Sequence, residues 1–370
     1  MLKKQRESNF ELLRIIAMLF IVIFHVMTNC VRPQLSQVDL FSNPPHAYKR
    51  ILLLYCSMLC GTMGNNIFIL ISGYFLAGKA EINIGNTIKK IISQVAFAAC
   101  VLTLGSFAHY VLINRQLGVF MDISCFNDDW WFVGYYLVIV VIGGLFLNRY
   151  LMKQTQKQQL TLLAILFAIF SLPFPGGILT AVTYKLRVLT SGIFLYVLGG
   201  YIRKYNPFER VKTRAIVAFM LLLGGLVLIS QYNIMIGQIN VFYLNHPDSF
   251  DYAMEPAPDF TISVLLLAIS VFEIGRRIPV KHSRVINYIG ASTFMNYLIH
   301  ENRYMHAKWK KYDWITTYYY RPLVFFGWLL LWVILTFLMG IVFYAIYEGI
   351  QKMISSKTFK NMFFKSESES

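Results

Sequence analysis

The sequence predicts an all-α fold, a polytopic transmembrane bundle of about ten helices. The 370-residue chain is 57% hydrophobic and only 14% charged, whereas soluble domains carry roughly 25% charged residues. Its apolar residues fall into separate runs, most of them close to the roughly 17–25 residues that a helix needs to cross a bilayer. Basic residues gather in alternate segments between these runs, as expected for cytoplasmic loops.

The apolar runs define the predicted helices in chain order. They are Asn9–Cys30, Ile51–Ala77, Ile88–Ile113, Trp130–Leu147, Gln159–Pro173, Val188–Ile202, Ala215–Ser230, Phe260–Gly275, Val285–His300 and Leu323–Ile350. Gln159–Pro173 and Val285–His300 are short for a span, so either could be re-entrant or could extend into its flanks. Residues 1–350 are predicted to form a single transmembrane domain, and residues 351–370 a short basic, disordered cytoplasmic tail.

The Lys and Arg distribution predicts the orientation, because basic residues in short loops stay on the cytoplasmic side. Segments 3–6, 79–90, 149–157, 203–214, 276–284 and 352–365 are basic and fall on one side. The opposite side holds the longest loop, which carries Asp248, Asp251, Glu255 and Asp259. We therefore expect both termini in the cytoplasm. The basic segment 308–321 is an exception to this rule, since it would be external. Its Trp and Tyr residues are nevertheless typical of a membrane interface.

Charge and cysteine content exclude two function classes. The formal net charge is +16, but the basic residues are spread between apolar runs and do not form one face, so no nucleic-acid partner is predicted. Among the five cysteines only Cys56 and Cys60 are closely spaced, and they lie in an apolar run where buried thiols are common. No metal site or disulfide is predicted.

Two ionisable residues lie inside the first apolar run. Arg14 and His25 are eleven positions apart, which places them roughly 16 Å apart along a helix and within roughly 20° of the same face. Charged groups within a membrane span are costly and normally face a protein interior or a water-filled cavity, so both side chains are predicted to point into one cavity. Alternatively, Arg14 extends to the headgroups and His25 is a polar residue near the opposite interface.

Four motifs resemble the acyltransferase-3 family of membrane acyltransferases. They are Leu13-Arg-Ile-Ile-Ala17 followed by His25, Phe68-Ile-Leu-Ile-Ser-Gly-Tyr74, Asp129-Trp-Trp-Phe-Val133 and Gly290-Ala-Ser-Thr-Phe-Met-Asn-Tyr-Leu-Ile-His300. Their order matches that of the family, and the resemblance spans nearly the whole chain. Two positions depart from the pattern: Lys79 stands where many members have Arg, and Ile69 replaces a Phe.

The resemblance implies transfer of an acyl group, usually acetyl, from cytoplasmic acyl-CoA to a hydroxyl of an extracytoplasmic cell-surface glycan or exopolysaccharide. Acetyl-CoA or another acyl-CoA would be the donor substrate, with no permanently bound cofactor. The site is then in the cytoplasmic membrane of a bacterium, and polysaccharide-assembly proteins are candidate partners. Arg14, Ser72, Gly73 and Lys79 would bind the donor, and Arg14 would also be catalytic together with His25. For Ser72 and Gly73, tight helix packing is an equal alternative.

The same resemblance gives His25 the role of general base, with formation of an acyl-His25 intermediate as the alternative. The carboxylate that would orient His25 is open between Asp128, Asp129 and Glu301, although acids in loops are more often simply solvated. The residues expected on the acceptor side are Trp130, Trp131, Tyr297, His300 and Glu301. A His at a helix end near the interface is an equal alternative for His300.

A glycan-precursor transporter or flippase is the main rival, because many helices and intramembrane charges suit that class as well. Transporters commonly contain inverted repeats with paired broken helices, and only glycine-rich interruptions without matching halves are present here. A glycan polymerase would be expected to have basic external loops, whereas the longest external loop here is acidic. A purely structural membrane subunit would not explain Arg14 and His25.

Overall fold

The computed structural model describes residues 6–35, 60–109, 111–112, 129–171, 180–238 and 262–355. These ranges are helical and contain no strand, which confirms the predicted all-α class. Within them, five helical segments are long and apolar enough to cross a membrane: Ser8–Gln34, Ile84–His109, Trp131–Lys153, Thr213–Ser230 and Pro322–Ser355. The count of about ten spans and the cytoplasmic termini stay predictions.

The helices are α1 (Ser8–Val26), α2 (Cys60–Leu76), α3 (Ile84–His109), α4 (Trp131–Ile142), α5 (Gln156–Ser171), α6 (Thr180–Tyr205), α7 (Thr213–Gln238), α8 (Ile262–Arg277), α9 (Arg284–His300), α10 (Arg303–Trp309), α11 (Trp314–Tyr320) and α12 (Pro322–Ser355). Two helices continue through π-helical turns. α1 runs on through Met27–Val31 into Arg32–Leu35, and α4 through Gly143–Leu147 into Asn148–Lys153. Each predicted span overlaps one of these helices, and α6 begins earlier than the predicted Val188.

Helix α1 lies in the interior and packs against α2, α8, α9 and α12. Ten of its 19 residues are buried and the other nine are partly buried, because neighbouring helices cover most of its surface. By contrast, α7 and α12 expose many Leu, Ile and Phe side chains, as expected for surfaces in contact with lipid. The central position of α1 means that Arg14 and His25 lie within protein, where their interactions are fixed by neighbouring helices.

Helices α1 and α9 run parallel and side by side. At their first turns, the Ser8 hydroxyl donates to the Asn287 side chain over 2.9 Å, and the Ser283 backbone N–H donates to Ser8. At their last turns, His25 contacts His300. Ser283 also caps α9 by accepting from the Ile286 N–H, which fixes where that helix begins. The two ends of α1 therefore each meet the matching end of α9.

Helices α2 and α6 cross closely through glycines. A Cβ added at Gly73 would collide with the backbone carbonyl of Tyr196, and one at Gly199 with the carbonyl of Leu70. Only a residue without a side chain allows such backbone approach in a membrane bundle. Gly73 therefore supports helix packing, the alternative that the sequence left open, while its neighbour Ser72 faces another direction.

Candidate active site

His25 lies at the end of α1 where the regular helix gives way to the π-helical turn. Its side chain is buried, with 9% of the residue exposed. Single π-turns inserted in α-helices are common at functional sites, because they shift side chains out of the regular helical register. The break after Val26 thus places His25 at the boundary between two backbone geometries.

The Glu301 carboxylate meets the imidazole of His25. The Nδ1 atom of His25 lies 2.5 Å from Oε2 of Glu301, and both side chains are buried. The position of Glu301 follows from local sequence: α9 ends at His300, Glu301 adopts a non-helical backbone, and the Asn302 side chain caps α10 by accepting from the Met305 N–H. This sharp turn directs Glu301 back towards α1.

Asp129, another candidate carboxylate, does not take this position. Asp129 lies 3.6 Å from the guanidinium of Arg303 and also accepts from the backbone N–H of that residue. Partial burial raises the pKa of Asp129, and the positive charge of Arg303 opposes the shift. Asp128 lies outside the described residues. Of the two candidates within the described residues, Glu301 is the one in contact with His25.

His300 adds a second acceptor beside His25. Its Nε2 atom lies 2.9 Å from Nδ1 of His25, and its own Nδ1 lies 2.7 Å from the backbone carbonyl of Asn296. A carbonyl only accepts, so a neutral His300 carries its proton on Nδ1 and turns the Nε2 lone pair towards His25. Together with Glu301 this holds the proton of a neutral His25 on Nδ1. The Nε2 atom of His25 is then unprotonated and able to act as a base.

A third histidine, His306, extends the cluster of His25, His300 and Glu301 away from α1. Nε2 of His306 lies 3.4 Å from Oε2 of Glu301 and 3.3 Å from the side-chain amide of Asn29. Glu301 thus lies between two imidazoles, one on α1 and one on α10. His306 was not among the predicted site residues, because its place depends on the turn after α9.

The cluster could also offer ligands to a metal ion. His25, His300 and Glu301 have ligand atoms within 4.8 Å of one another. Ligands around tetrahedral zinc, with bonds of about 2.0–2.1 Å, lie roughly 3.3 Å apart. Nδ1 of His25 lies 2.9 Å from Nε2 of His300, a hydrogen-bond separation, and 2.5 Å from Oε2 of Glu301, closer than two ligands of one zinc ion. The geometry therefore fits a hydrogen-bonded histidine better than a metal centre.

Arg14 lies at the other end of α1 and is held by an acid on the same helix. Its Nη1 lies 2.6 Å from Oε1 of Glu11, and Arg6 approaches the same oxygen at 3.3 Å. Glu11 itself is buried beside Gly290 of α9, where a Cβ would collide with the carboxylate. Glu11 was not among the predicted site residues, although an acid three positions before Arg14 within an apolar run was the signal that could have found it.

A cavity of about 660 Å³ begins beside Arg14 and extends into the bundle. Cationic side chains line one part, namely Arg6, Arg14, Lys79 and Lys90. Deeper in the bundle, the lining includes Phe68, Ser72, Gln94, Phe132, Tyr136, Thr293 and Tyr297. The predicted residues Arg14, Ser72 and Lys79 therefore share one cavity, whereas Gly73 packs against α6.

His25 does not line this cavity, contrary to the expectation that it and Arg14 share one. Tyr297 lies between the cavity and His25: it lines the cavity, and its ring centroid is 6.5 Å from that of His25. The reason is the parallel packing of α9 on α1, which inserts the Tyr297 ring one turn before His300. The cavity thus ends one aromatic ring away from the imidazole.

The two predicted tryptophans differ in environment. Trp130 is buried, whereas Trp131 is 43% exposed and packs against Phe132 and Tyr135. The Tyr297 hydroxyl donates to the backbone carbonyl of Asp129 at 3.4 Å, which links α9 to the start of α4. Trp130 and Trp131 therefore directly follow Asp129, whose backbone carbonyl is bonded to Tyr297. A role of the two tryptophans in acceptor binding stays a prediction.

Comparison with known proteins identifies the family. Residues 7–348 match the model of the acyltransferase-3 family, described as an acyltransferase domain. No match was found among curated proteins or among solved structures. The match covers most of the 370-residue chain and includes both α1 and α9, which carry the histidine cluster. The chain therefore belongs to the acyltransferase-3 family and is a membrane acyltransferase.

Proposed function

We propose that the protein transfers an acetyl group from cytoplasmic acetyl-CoA to a hydroxyl of an extracytoplasmic cell-surface glycan, across a bacterial cytoplasmic membrane. The observation that supports it is the division of α1 into two ends with different chemistry. One end opens on the cavity, at the part lined by Arg6, Arg14, Lys79 and Lys90, which is called the cationic mouth below. The other end carries a buried His25 in contact with Glu301.

The charge of the mouth favours an anionic donor. Four cationic side chains and one carboxylate, Glu81, line the cavity. Glu81 is largely exposed and pairs with Arg149 at 3.3 Å, and Glu11 offsets one of the two arginines that it contacts, so the mouth keeps a net positive charge. Coenzyme A carries several phosphate charges and cannot cross lipid, so a cationic mouth suits its nucleotide part. Its thioester arm is long and narrow enough to enter the bundle.

Transfer from a thioester to a hydroxyl needs one proton to be moved. Nε2 of His25 accepts the proton of the acceptor hydroxyl while the oxygen attacks the thioester carbonyl. Collapse of the tetrahedral intermediate breaks the carbon–sulfur bond, and the thiolate of coenzyme A takes the proton from His25. Glu301 stabilises the imidazolium that forms in between, as a carboxylate does in catalytic triads.

Tyr297 lies on the path that the thioester must take to reach the imidazole of His25. Its ring lies between the inner end of the cavity and His25, so transfer by this route requires the ring to move aside. Attack by Nε2 of His25 on the thioester, giving an acyl-His25 intermediate before the hydroxyl attacks, uses the same contacts. The two routes differ in one observable: only the second gives enzyme-bound label in the absence of acceptor.

Purified protein in liposomes with radiolabelled acetyl-CoA and cell-envelope glycans tests the proposal. Wild type is expected to move label into glycan, and the folded His25→Gln variant is expected to lose this activity. Label in glycan with both proteins would overturn the role of His25. Wild type that neither binds nor uses any acyl-CoA would contradict the proposal and favour a glycan-precursor transporter instead.

A further inference from the structure

Gln94 is a buried amide on α3 that lines the cavity. The residue is 4% exposed, and its Oε1 has no hydrogen-bond partner within the described part of the chain. A buried amide without a partner costs free energy, and such groups are normally paired. An unpaired amide oxygen on a side chain that lines a cavity therefore points to a partner that enters the cavity.

Its place along the cavity is set by the helical repeat of α3. Asn86, Lys90 and Gln94 all line the cavity and are four positions apart, so they lie on one face of the helix. Gln94 is one turn, roughly 6 Å, further into the bundle than Lys90. It thus lies between the cationic mouth and the inner end at Tyr297.

The other neutral polar groups at this depth already have partners. The Ser72 hydroxyl lies 2.9 Å from the Phe68 carbonyl and 3.1 Å from the Tyr136 hydroxyl. The Thr293 hydroxyl donates to the Gly290 carbonyl. Gln94 differs from them because its carbonyl oxygen is left without a partner. Turning about the last side-chain torsion lets it present either its oxygen or its NH₂ group.

We propose that Gln94 hydrogen-bonds an amide of the pantetheine arm of the acyl donor. This inference rests on the proposed function. An acyl-CoA whose phosphates lie at the mouth and whose thioester reaches Tyr297 must place its arm along Gln94. That arm contains two secondary amides, which lose water on entering the bundle and need new partners. A glutamine offers a donor and an acceptor to such a group.

Donors of decreasing length test this assignment with purified protein in liposomes. Acetyl-CoA has phosphates and amides, acetyl-pantetheine has amides only, and S-acetyl-2-mercaptoethanol has neither. The Gln94→Leu variant is expected to raise KM about tenfold for the first two donors and to leave the third unchanged, since one buried hydrogen bond is lost. The Lys90→Gln variant is the matched comparison, and should raise KM for acetyl-CoA alone.

Each other result overturns the inference in a distinguishable way. Unchanged KM values in Gln94→Leu would show that the amide pairs with water or nothing. An equal rise for all three donors, with a lowered melting temperature, would show a packing defect. Failure of wild type to use acetyl-CoA would remove the proposed function together with this inference, whereas normal wild-type turnover with an unaffected Gln94→Leu variant would remove this inference alone.

Discussion

His25 Nδ1 lies 2.5 Å from Glu301 Oε2, a contact between the end of α1 and the turn that follows α9. It gives the histidine a buried acidic partner on its Nδ1 side. Because the proton of a neutral His25 is held there, the opposite nitrogen is the basic one. The contact therefore defines which atom of His25 acts in transfer.

Replacement of Glu301 by Gln should lower kcat about 10²–10⁴-fold with a small change in KM for acetyl-CoA. The uncharged amide can keep a hydrogen bond but cannot stabilise the imidazolium. Steady-state kinetics in liposomes measure this. Asp129→Asn is the matched control, since Asp129 pairs with Arg303 and should affect kcat much less. Equal losses in both variants would contradict the assignment of Glu301.

Chelation should leave the activity unchanged. Nδ1 of His25 lies closer to His300 (2.9 Å) and to Glu301 (2.5 Å) than two ligands of one tetrahedral zinc ion lie to each other, so EDTA or a zinc-specific chelator should remove nothing that the transfer step needs. Activity and metal content are measured before and after prolonged chelation and dialysis. Activity that is lost and then restored by Zn²⁺ would show that His25, His300 and Glu301 bind a metal instead.

Gly290→Ala should weaken donor binding through Glu11. The added methyl group collides with the Glu11 carboxylate, which holds Arg14 at 2.6 Å, so the guanidinium at the mouth is displaced. We expect KM for acetyl-CoA to rise several-fold, with a stability loss of about 1–3 kcal/mol. Gly134→Ala is the control, because its new Cβ meets no atom within 4 Å. A Gly290→Ala protein with unchanged KM would show that Glu11 does not act through Arg14.

The sequence was sufficient to predict the fold class and to single out α1 as a helix with ionisable residues inside an apolar run. Apolar runs report directly on burial in lipid, and an Arg and a His inside such a run are unusual enough to be noticed. Three features needed the structure. The place of Glu301 depends on how the chain turns after α9, the separation of His25 from the cavity depends on the register of α9 against α1, and the unpaired state of Gln94 depends on every neighbour at once.

The Ser72-Gly73 pair shows the same limit at neighbouring positions. Both helix packing and a place in the donor tunnel were open for each residue. A helix turns about 100° per residue, so adjacent side chains face different neighbours. Ser72 lines the cavity and Gly73 meets the backbone of α6, so the two neighbours have different surroundings, and the role of Ser72 towards the donor stays a prediction. Sequence alone could not say which face of α2 meets which helix.

Gly73→Ala should impair assembly and leave the chemistry of the folded fraction intact. The new methyl group has no space against the Tyr196 backbone, so α2 and α6 must separate. A lower melting temperature and a lower yield of monodisperse protein are expected, with KM unchanged in what remains folded. Gly105→Ala is the control, since no atom lies within 4 Å of its new Cβ. A stable Gly73→Ala protein would contradict the close crossing.

The orientation of the two ends of α1 can be tested by cysteine labelling. Lys310 is exposed and follows α10, at the His25 end of the molecule. Lys204 is exposed at the end of α6, next to Arg203, which donates to the Tyr74 carbonyl near the Arg14 end. The basic segment that contains Lys310 departs from the positive-inside rule, so its location is the most informative one.

In a cysteine-free background, Lys310→Cys should react with a membrane-impermeant maleimide in intact cells, whereas Lys204→Cys should react only after permeabilisation. This pattern places the cavity mouth in the cytoplasm, where acyl-CoA is found, and the histidine cluster towards the acceptor. The reverse pattern would put the cationic mouth outside and contradict the proposed donor route. Labelling of both positions from the same side would show that the two ends of α1 do not face opposite sides of the membrane.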